Sequence, residues 1–289
     1  AAMAALQAGS TACLWWLQRI AIHAPGWFAV ATSQLAGNGM SKIAPGGGAV
    51  GAALQYRMLV QAGTDRSRAV AGLTAANLLV LGIVLVLPLL ATPALLSGAA
   101  DRDLVRISAA ALGVFVVLFA LGALCLALDG PLRWAGRVAQ RLRNRLRPRA
   151  VPLEHLPSRL LRERDRIVRT VGPRWKAALA AGAGRWALDY ASLLAALTAV
   201  GASARPGLVL LAFCGAQLLA QVPITPGGLG FVEAGLTAML GLAGVAAADA
   251  VLATFAYRLF TYWLSLPLGL AGVVLHRRRY ARGHALADG

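Results

Sequence analysis

The chain has 289 residues, of which 58% are hydrophobic and only 13% are charged. Soluble domains carry about a quarter charged residues, so this composition excludes an ordinary soluble domain and predicts a polytopic membrane protein. The net charge of +17 comes from 28 Lys and Arg against 11 Asp and Glu. Because these charges fall where loops are expected, we attribute them to the positive-inside rule and predict no nucleic-acid partner.

The first half of the chain consists of apolar segments of two lengths. A span is predicted at 1–22, shorter apolar pieces at 27–43 and 49–60, and full spans at 69–91 and 104–128. The chain opens inside an apolar run without the charged region of a signal peptide, so we expect a truncated N-terminus. Each shorter piece falls below the roughly 20 residues that a spanning helix needs.

Residues 130–176 change in composition and are rich in arginine, which predicts a basic cytoplasmic linker. Inside it, Leu156, Leu160, Ile167 and Val171 recur near helical spacing between arginines. This pattern is typical of an amphipathic helix on an anionic membrane surface. A solvated linker that only fixes the topology fits it equally well.

The second half repeats the arrangement of the first. A full span is predicted at 177–200, half-length pieces at 208–220 and 229–242, and a last span at 251–275. We therefore divide the chain into a first membrane half (1–129), the basic linker (130–176), a second membrane half (177–276) and a cytoplasmic tail (277–289).

Both pairs of short pieces surround a Pro-Gly-Gly sequence, at Pro45–Gly48 and at Pro226–Gly228. Proline removes a backbone donor and clashes with the preceding turn, so a helix cannot continue unchanged through it. In lipid, the freed backbone groups must be buried in protein or line a wet cavity. Paired breaks in corresponding positions of two halves indicate an inverted-repeat transporter site.

Charge alone fixes a consistent topology. If the basic linker and the arginines at 277–279 are cytoplasmic, the segments around Pro226 must cross the membrane an even number of times. A re-entrant hairpin satisfies this condition, and so would two short complete helices, which the lengths of the pieces disfavour. With re-entrant hairpins, the first enters from the cytoplasm and the second from outside. The predicted fold is an all-α polytopic helix bundle with two re-entrant broken-helix hairpins related as an inverted repeat.

The helix that follows each break begins with free N–H groups and a positive dipole end, which suit a phosphate or carboxylate. The alternative is that glycine-rich tips only let backbones pack closely. Glu233 lies near the start of its half-helix, where a carboxylate complements the helix dipole and could be structural. An ionisable group at membrane depth indicates function instead, with Arg258 or a cationic part of a substrate as its candidate partner. Lys42 lies three residues before Pro45, close to the tip of the first hairpin, and Arg57 lies in the second half of that hairpin.

Other polar residues in the apolar segments can be explained by structural roles, although some could also line a polar path. Arg185 and Asp189 are four residues apart on one helix face, which predicts a structural ion pair. Asn38, Gln55 and Gln217 could line a polar path or hold helices together. The histidines have no metal spacing, and no phosphate-cradling nucleotide loop is present, so we predict no metal, cofactor or enzyme activity. Two acids in a short link, Asp101 and Asp103, are weak evidence for a glycosyltransferase.

Three stretches of the chain carry a resemblance to a known family. They are Asn38…Ala44-Pro45-Gly46-Gly47-Gly48-Ala49-Val50-Gly51-Ala52…Tyr56-Arg57, Pro226-Gly227-Gly228-Leu229-Gly230-Phe231-Val232-Glu233-Ala234, and Tyr257-Arg258-Leu259-Phe260-Thr261-Tyr262-Trp263-Leu264-Ser265-Leu266-Pro267-Leu268-Gly269. In this order they resemble the lysylphosphatidylglycerol synthase transmembrane (flippase-like) family. The resemblance implies a bundle with re-entrant helices that moves or houses a lipid, in some members aminoacylated phosphatidylglycerol, in a bacterial or archaeal inner membrane. Nothing resembles the aminoacyltransferase domain of bifunctional members, so we do not expect this chain to synthesise the lipid.

The leading hypothesis is a lipid translocator whose midplane site lies at the hairpin tips. Its predicted binding residues are Asn38, Lys42, Pro45, Gly46, Gly47, Gly48, Arg57, Pro226, Gly227, Gly228, Glu233, Tyr257 and Arg258. The expected partners are anionic or aminoacylated phospholipids or a lipid-linked sugar, and the sequence leaves a homodimer open. The alternative is a non-transporting membrane scaffold for a separate lipid aminoacyltransferase or glycosyltransferase, and the third hypothesis is an enzyme acting on a lipid-linked donor.

Overall fold

The computed structural model describes residues 1–23, 26–91, 102–146, 154–221 and 225–280, and these ranges contain helices but no strand. The helices are α1 (Ala2–Ile22), α2 (Trp27–Ile43), α3 (Gly48–Gln61), α4 (Arg66–Val86), α5 (Arg102–Ala127), α6 (Asp129–Leu146), α7 (Leu156–Val171), α8 (Trp175–Ala199), α9 (Pro206–Leu219), α10 (Phe231–Leu242), α11 (Ala247–Arg258) and α12 (Ser265–Tyr280). A short 3₁₀ turn extends α4, and a π-helical turn, Leu259–Trp263, joins α11 to α12.

In the described part of the chain, two helical stretches are long and apolar enough to cross a membrane, Arg66–Leu90 and Ala247–Tyr280. They coincide with the spans predicted at 69–91 and 251–275, and α5 with α6 would add a third if that bent pair were one span. The helix α8 has the length of a span, 25 residues, but Arg185 and Asp189 interrupt its apolar sequence. The all-helical membrane fold is therefore confirmed.

Each Pro-Gly-Gly sequence separates two helices that pack against each other. The helix α2 ends at Ile43 and α3 starts at Gly48, while α9 ends at Leu219 and α10 starts at Phe231. Gly37 of α2 lies so close to α3 that an added Cβ would meet the Gly51 carbonyl oxygen at 2.8 Å. The two helix breaks thus form where proline chemistry predicts them, and each yields a helical hairpin.

The bundle packs around two helix pairs and one aromatic cluster. The helix α1 lies along α8, and α2 lies along α12. The main core is formed by α4, α8, α9, α10 and α11 around the fully buried Phe213. The Phe213 ring packs edge to face against Trp186 of α8 and Tyr257 of α11, at centroid distances of 5.8 and 6.5 Å. This cluster holds Tyr257 beside the polar cavity described below.

The basic linker predicted at 130–176 contains two helices, α6 and α7, that pack on each other through Gly136 and Pro157. The helix predicted over 156–171 is confirmed by α7, while its contact with a membrane surface stays a prediction. Parts of the chain discussed from the sequence lie outside the described residues, namely Asp101, residues 147–153 of the basic linker and residues 281–289 of the tail. The side chain of Asp103 is likewise outside them.

The contact between α2 and α12 depends on glycine. A Cβ on Gly39 would lie 2.9 Å from the Gly269 Cα, whereas a Cβ on Gly82 of α4 would meet nothing within 4 Å. We expect Gly39→Ala to lower the free energy of unfolding by about 1–3 kcal/mol, because backbone cannot move aside as a side chain can. Gly82→Ala should be neutral or stabilising by about 0.5–1 kcal/mol. Thermal unfolding of both variants in the same detergent tests this, and equal midpoints would contradict it.

The N-terminus of α4 is capped by Asp65, which is exposed in the loop after α3. Its carboxylate accepts hydrogen bonds from the Ser67 hydroxyl (2.6 Å), the Ser67 N–H (3.1 Å) and the Arg68 N–H (3.0 Å). These bonds favour the charged form and hold the pKa of Asp65 below its ordinary value. The cap therefore stabilises α4 above the ordinary Asp pKa, and this contribution is lost as the pH falls through the lowered value.

This cap predicts a local pH dependence. We expect amide exchange at Ser67 and Arg68 to gain protection as the pH rises through the titration of Asp65, once intrinsic exchange is corrected for. Asp65→Asn keeps an acceptor but cannot titrate, so it should retain protection and lose the pH dependence. An identical pH profile in Asp65→Asn would show that another group is responsible.

Candidate functional site

A cavity of about 390 Å³ with apolar walls and a set of polar side chains lies between α1, α2, α8, α9, α10 and the helices around the π-helical turn. Its polar lining consists of Gln7, Ser10, Thr11, Gln34, Asn38, Lys42, Arg185, Asp189, Gln217, Tyr257, Arg258, Thr261 and Ser265. On α2, residues 34, 38 and 42 are four apart, so they share one helix face. The same spacing on α8 places residues 185 and 189 together. The cavity thus forms where several otherwise apolar helices turn polar faces toward each other.

At one edge of the cavity, Arg258 and Glu233 form a buried ion pair. The Arg258 Nε donates to Glu233 Oε1 at 2.6 Å, and the two side chains are only 6% and 12% exposed. The second oxygen, Glu233 Oε2, accepts the Gly230 N–H at 2.7 Å, which caps the first turn of α10. The predicted pairing of these residues is confirmed. The anion site predicted at this helix N-terminus is occupied by the protein's own carboxylate.

The second Pro-Gly-Gly turn touches the end of α2. A Cβ on Gly227 would lie 2.8 Å from the Lys42 Cα, and the Gly227 φ of +60° is in the left-handed region. The Arg258 Nη2 donates to the Gly227 carbonyl at 3.4 Å, and the Tyr262 hydroxyl donates to the Lys42 carbonyl at 3.1 Å. The turn is therefore fastened to both α2 and the last membrane helix.

Tyr262 lies between two cations. The Lys42 Nζ is 5.6 Å and the Arg258 Cζ 4.7 Å from the centroid of its ring. Both distances suit cation–π attraction. Arg258 and Tyr262 are four residues apart, a spacing that places side chains on the same side of a helix, and the π-helical turn Leu259–Trp263 begins between them. The ring thus partly offsets the repulsion between two positive groups at one end of the cavity.

The ion pair predicted between Arg185 and Asp189 is wrong. Asp189 Oδ1 instead accepts from Gln7 Nε2 at 2.6 Å and from the Tyr257 hydroxyl at 3.0 Å. Among the described residues, the ion pairs do not include Arg185. A base placed N-terminal to an acid is the weaker order on a helix, and here neighbouring helices supply better-placed donors to the acid.

Two cationic groups at the cavity contact aromatic rings but make no ion pair within the described part of the chain. The Arg185 Nη1 is buried without a hydrogen-bond acceptor, and its guanidinium stacks over the Trp186 ring at 4.1 Å. The Lys42 Nζ makes no hydrogen bond or ion pair to a described residue, although it interacts electrostatically with Arg185, Arg258, Asp189 and Glu233. Buried donors left unsatisfied are costly, so this end of the cavity is suited to an incoming acceptor.

The residues predicted to bind the headgroup fall into two groups. Asn38, Lys42, Tyr257 and Arg258 line the cavity, while Glu233 and Gly227 contact Arg258 from behind it. The described residues that line the cavity do not include the other seven predicted positions. Five of these are exposed, namely Pro45, Gly46, Gly48, Arg57 and Pro226, and the other two are Gly47 and Gly228. Binding by any of these residues stays a prediction. The first Pro-Gly-Gly turn lies apart from the cavity, which α2 reaches through Lys42.

Several residues that line the cavity were not predicted from the sequence. For Gln55 and Gln217, the sequence left open whether they line a polar path or hold helices together. Gln217 donates to the Tyr257 hydroxyl at 3.0 Å at the cavity wall, whereas Gln55 donates to Gln18 at 2.9 Å between α3 and α1. The first is on a polar path and the second holds helices together. Gln34 could have been found from its spacing of four from Asn38. Gln7 could have been found in the same way, from its spacing of four from Thr11 on α1.

The described residues contain no cluster of His, Cys, Asp and Glu side chains that could hold a metal ion. The buried His276 instead bridges helices, with Nδ1 2.8 Å from the Thr32 hydroxyl and Nε2 3.0 Å from the Met58 carbonyl. These contacts give this histidine a structural role. The polar groups at the cavity are cations, amides, hydroxyls and the carboxylate of Asp189.

A family model described as the lysylphosphatidylglycerol synthase TM region matches residues 1–269. The chain belongs to this family. No curated protein and no solved structure is significantly similar to the chain. Every residue that lines the cavity, from Ala4 to Leu268, lies within the part that matches the lysylphosphatidylglycerol synthase TM region. The family assignment indicates a membrane protein related to lipid modification or lipid flipping.

Proposed function

We propose that the protein is a lipid translocator that moves a phospholipid or lipid-linked headgroup across the cytoplasmic membrane. The observation that carries this proposal is the polar cavity, where Lys42, Arg185 and Arg258 approach one another inside an apolar helix bundle. Ionisable residues at membrane depth are expensive and usually mark a pathway for substrate or ions. A bundle that served only as an anchor would have no use for them.

The size of the cavity agrees with a headgroup as cargo. Its volume of about 390 Å³ is at the lower end of ligand pockets, which span about 300–1,000 Å³. The acyl tails would stay in the bilayer, so only the headgroup needs a polar path. Since the sequence carries no nucleotide-binding loop, the driving force would be a gradient, the membrane potential or simple equilibration.

In this proposal, the hairpins α2–α3 and α9–α10 are re-entrant and form an inverted repeat. The contact between Gly227 and Lys42 supports it, because it joins the second tip to the end of α2 close to the first break. The basic helices α6 and α7 and the C-terminus would face the cytoplasm, in keeping with the positive-inside rule. The headgroup would then pass between the two hairpins.

Headgroup translocation in proteoliposomes tests the proposal. Tail-labelled lipids and a membrane-impermeant quencher report loss of inner-leaflet protection, and we expect the protein to accelerate it. Lys42→Gln should slow the reaction because it removes an unpaired cavity cation without breaking a hydrogen bond of its side chain. The matched control is Arg66→Gln, on the exposed first turn of α4, which should leave the rate unchanged.

One observation favours the alternative, a scaffold for a separate aminoacyltransferase or glycosyltransferase. The helix α6 exposes Trp134, Val138, Leu142 and Leu146 at a spacing of four beside a row of arginines. If the folded protein does not accelerate the translocation of any headgroup, the scaffold becomes the better hypothesis. Neutralising Arg133, Arg137 and Arg141 should then abolish recruitment of the partner enzyme, whereas a translocator should keep its rate in that variant.

A further inference from the structure

We propose that the cavity selects an anionic headgroup that carries a phosphodiester and no amine, and that Arg185 is its principal phosphate-binding residue. This inference rests on the proposed function and narrows its cargo. Arg185 was expected to pair with Asp189, and in the absence of that pair among the described residues its Nη1 is buried without a hydrogen-bond acceptor. An acceptor of the phosphate type is the group that a guanidinium edge binds best.

The hydrogen-bonding capacity of the cavity is unequally used. Glu233 is engaged through both oxygens, by Arg258 at 2.6 Å and Gly230 at 2.7 Å. Asp189 already accepts from Gln7 at 2.6 Å and Tyr257 at 3.0 Å. In contrast, Arg185 Nη1 and Lys42 Nζ have no acceptor in the described part of the chain. A phosphate oxygen would supply the acceptor that these two donors lack. Both bonds to Asp189 fall on Oδ1, and none of the described residues donates to its Oδ2, so the preference against an amine rests on the charge balance.

The balance of charge leads to the same headgroup. Three cations, Lys42, Arg185 and Arg258, stand against the two carboxylates of Asp189 and Glu233, which leaves a formal excess of one positive charge. A phosphodiester carries one negative charge and would neutralise the site. A zwitterionic headgroup leaves the excess unchanged. A lysyl ester of the same lipid adds two ammonium groups and would raise it, which is costly inside a bundle.

The geometry around Arg185 holds its guanidinium in place for this role. The group lies 4.1 Å above the Trp186 ring, and that ring is itself fixed by a hydrogen bond from its Nε1 to the Val80 carbonyl at 2.8 Å. The Ser10 hydroxyl donates to the Arg185 carbonyl at 3.0 Å and ties the helix to α1. A planar guanidinium stacked in this way presents its edge to an oxyanion.

Direct binding is measured on the full chain in detergent, by titrating short-chain phosphatidylglycerol and following tryptophan fluorescence, because Trp186 reports on Arg185. We expect Arg185→Gln to weaken binding by about 10- to 100-fold, since a charge-assisted hydrogen bond is lost. Arg185→Lys should keep part of the affinity, because the charge remains while the fork geometry is lost. Arg66→Gln serves as the unaffected control, and Trp186→Phe identifies the signal.

Transport is measured in proteoliposomes with phosphatidylglycerol, phosphatidylethanolamine and lysyl-phosphatidylglycerol. We expect the rates to fall in that order, with phosphatidylglycerol at least tenfold faster than its lysyl ester. Equal or faster movement of the lysyl ester, insensitive to Arg185→Gln, would overturn the selectivity while leaving the proposed function intact. Binding of phosphatidylglycerol without movement of any lipid would uphold the anion site and overturn translocation. Equally tight binding of inorganic phosphate would assign the site to a free anion and overturn the lipid cargo.

Discussion

Replacing Glu233 with Gln is expected to lower the free energy of unfolding by about 3–5 kcal/mol, because Arg258 would remain buried without its counter-charge. The pair is close, at 2.6 Å between Arg258 Nε and Glu233 Oε1, and almost wholly removed from solvent. Burying a charge that has lost its partner is the most costly outcome of such a change. Steric trapping or reversible unfolding in bicelles measures the loss.

The pair should respond asymmetrically to substitution. In Arg258→Gln, the Glu233 carboxylate keeps the Gly230 N–H and the positive end of α10, so we expect a smaller loss of stability. Combining Glu233→Gln with Arg258→Gln should recover part of the loss, since no unpaired charge then remains. Exchanging the two residues should not recover it, because an arginine at 233 opposes the helix dipole and cannot accept the N–H.

A stable Glu233→Gln variant would contradict this account and leave the pair with a role in transport alone. That outcome would be recognised by unchanged unfolding together with a lowered translocation rate. Translocation experiments therefore need a substitution that does not weaken the fold. Lys42 and Arg185 provide it, since neither side chain makes an ion pair to a described residue.

Local backbone stereochemistry, such as the end of a helix before proline, made much of the fold predictable. The helix predicted at 27–43 is observed as Trp27–Ile43, because the following proline and glycines leave no helical continuation. The pairing of Glu233 with Arg258 followed from the cost of leaving either charge alone in an apolar segment. The end of the helix needed only the few residues that follow it. The ion pair could be predicted because few residues in the apolar segments could serve as a counter-charge.

Features decided by tertiary contacts could not be read from the sequence. Asp189 is met by Gln7, which is 182 positions away, and no local pattern indicates that encounter. Spacing of four predicted the wrong partner for Asp189 because it brings side chains near each other but does not decide which donor is best placed. The helix α6 was missed for a related reason, since its packing on α7 depends on Gly136 meeting Pro157.

The π-helical turn Leu259–Trp263 shows how one irregularity organises the site. Nothing in the apolar sequence distinguishes it from a regular helix, yet it lies directly after Arg258, which contacts both the second Pro-Gly-Gly turn and the Tyr262 ring. Such turns are frequent at functional sites. Here the interruption and the broken helix meet, and the cavity cations gather at their junction.

That junction should not tolerate a side chain at Gly227. We expect Gly227→Ala to disrupt the site more than any other glycine substitution in the two turns, for two separable reasons. The backbone is left-handed, with φ of +60°, which costs an L-residue about 1–2 kcal/mol. The added Cβ would also lie 2.8 Å from the Lys42 Cα and 2.9 Å from its carbonyl oxygen, and overpacking of this kind costs about 1–3 kcal/mol more.

Gly230 provides the matched control for the conformational part. Its φ is +79°, yet a Cβ there would meet nothing within 4 Å, and its N–H bond to Glu233 survives in alanine. Gly230→Ala should therefore lose only the about 1–2 kcal/mol of backbone strain. The difference between the two unfolding free energies measures the contact of the second turn with α2 and with the Tyr262 ring, which a Cβ on Gly227 would meet at 2.7 Å. Gly227→Ala should also make Lys42 more reactive toward an amine reagent, as the turn moves away. Equal stabilities and equal Lys42 reactivity in the two variants would mean that the turn does not press on α2, and that the tip and the cavity act independently.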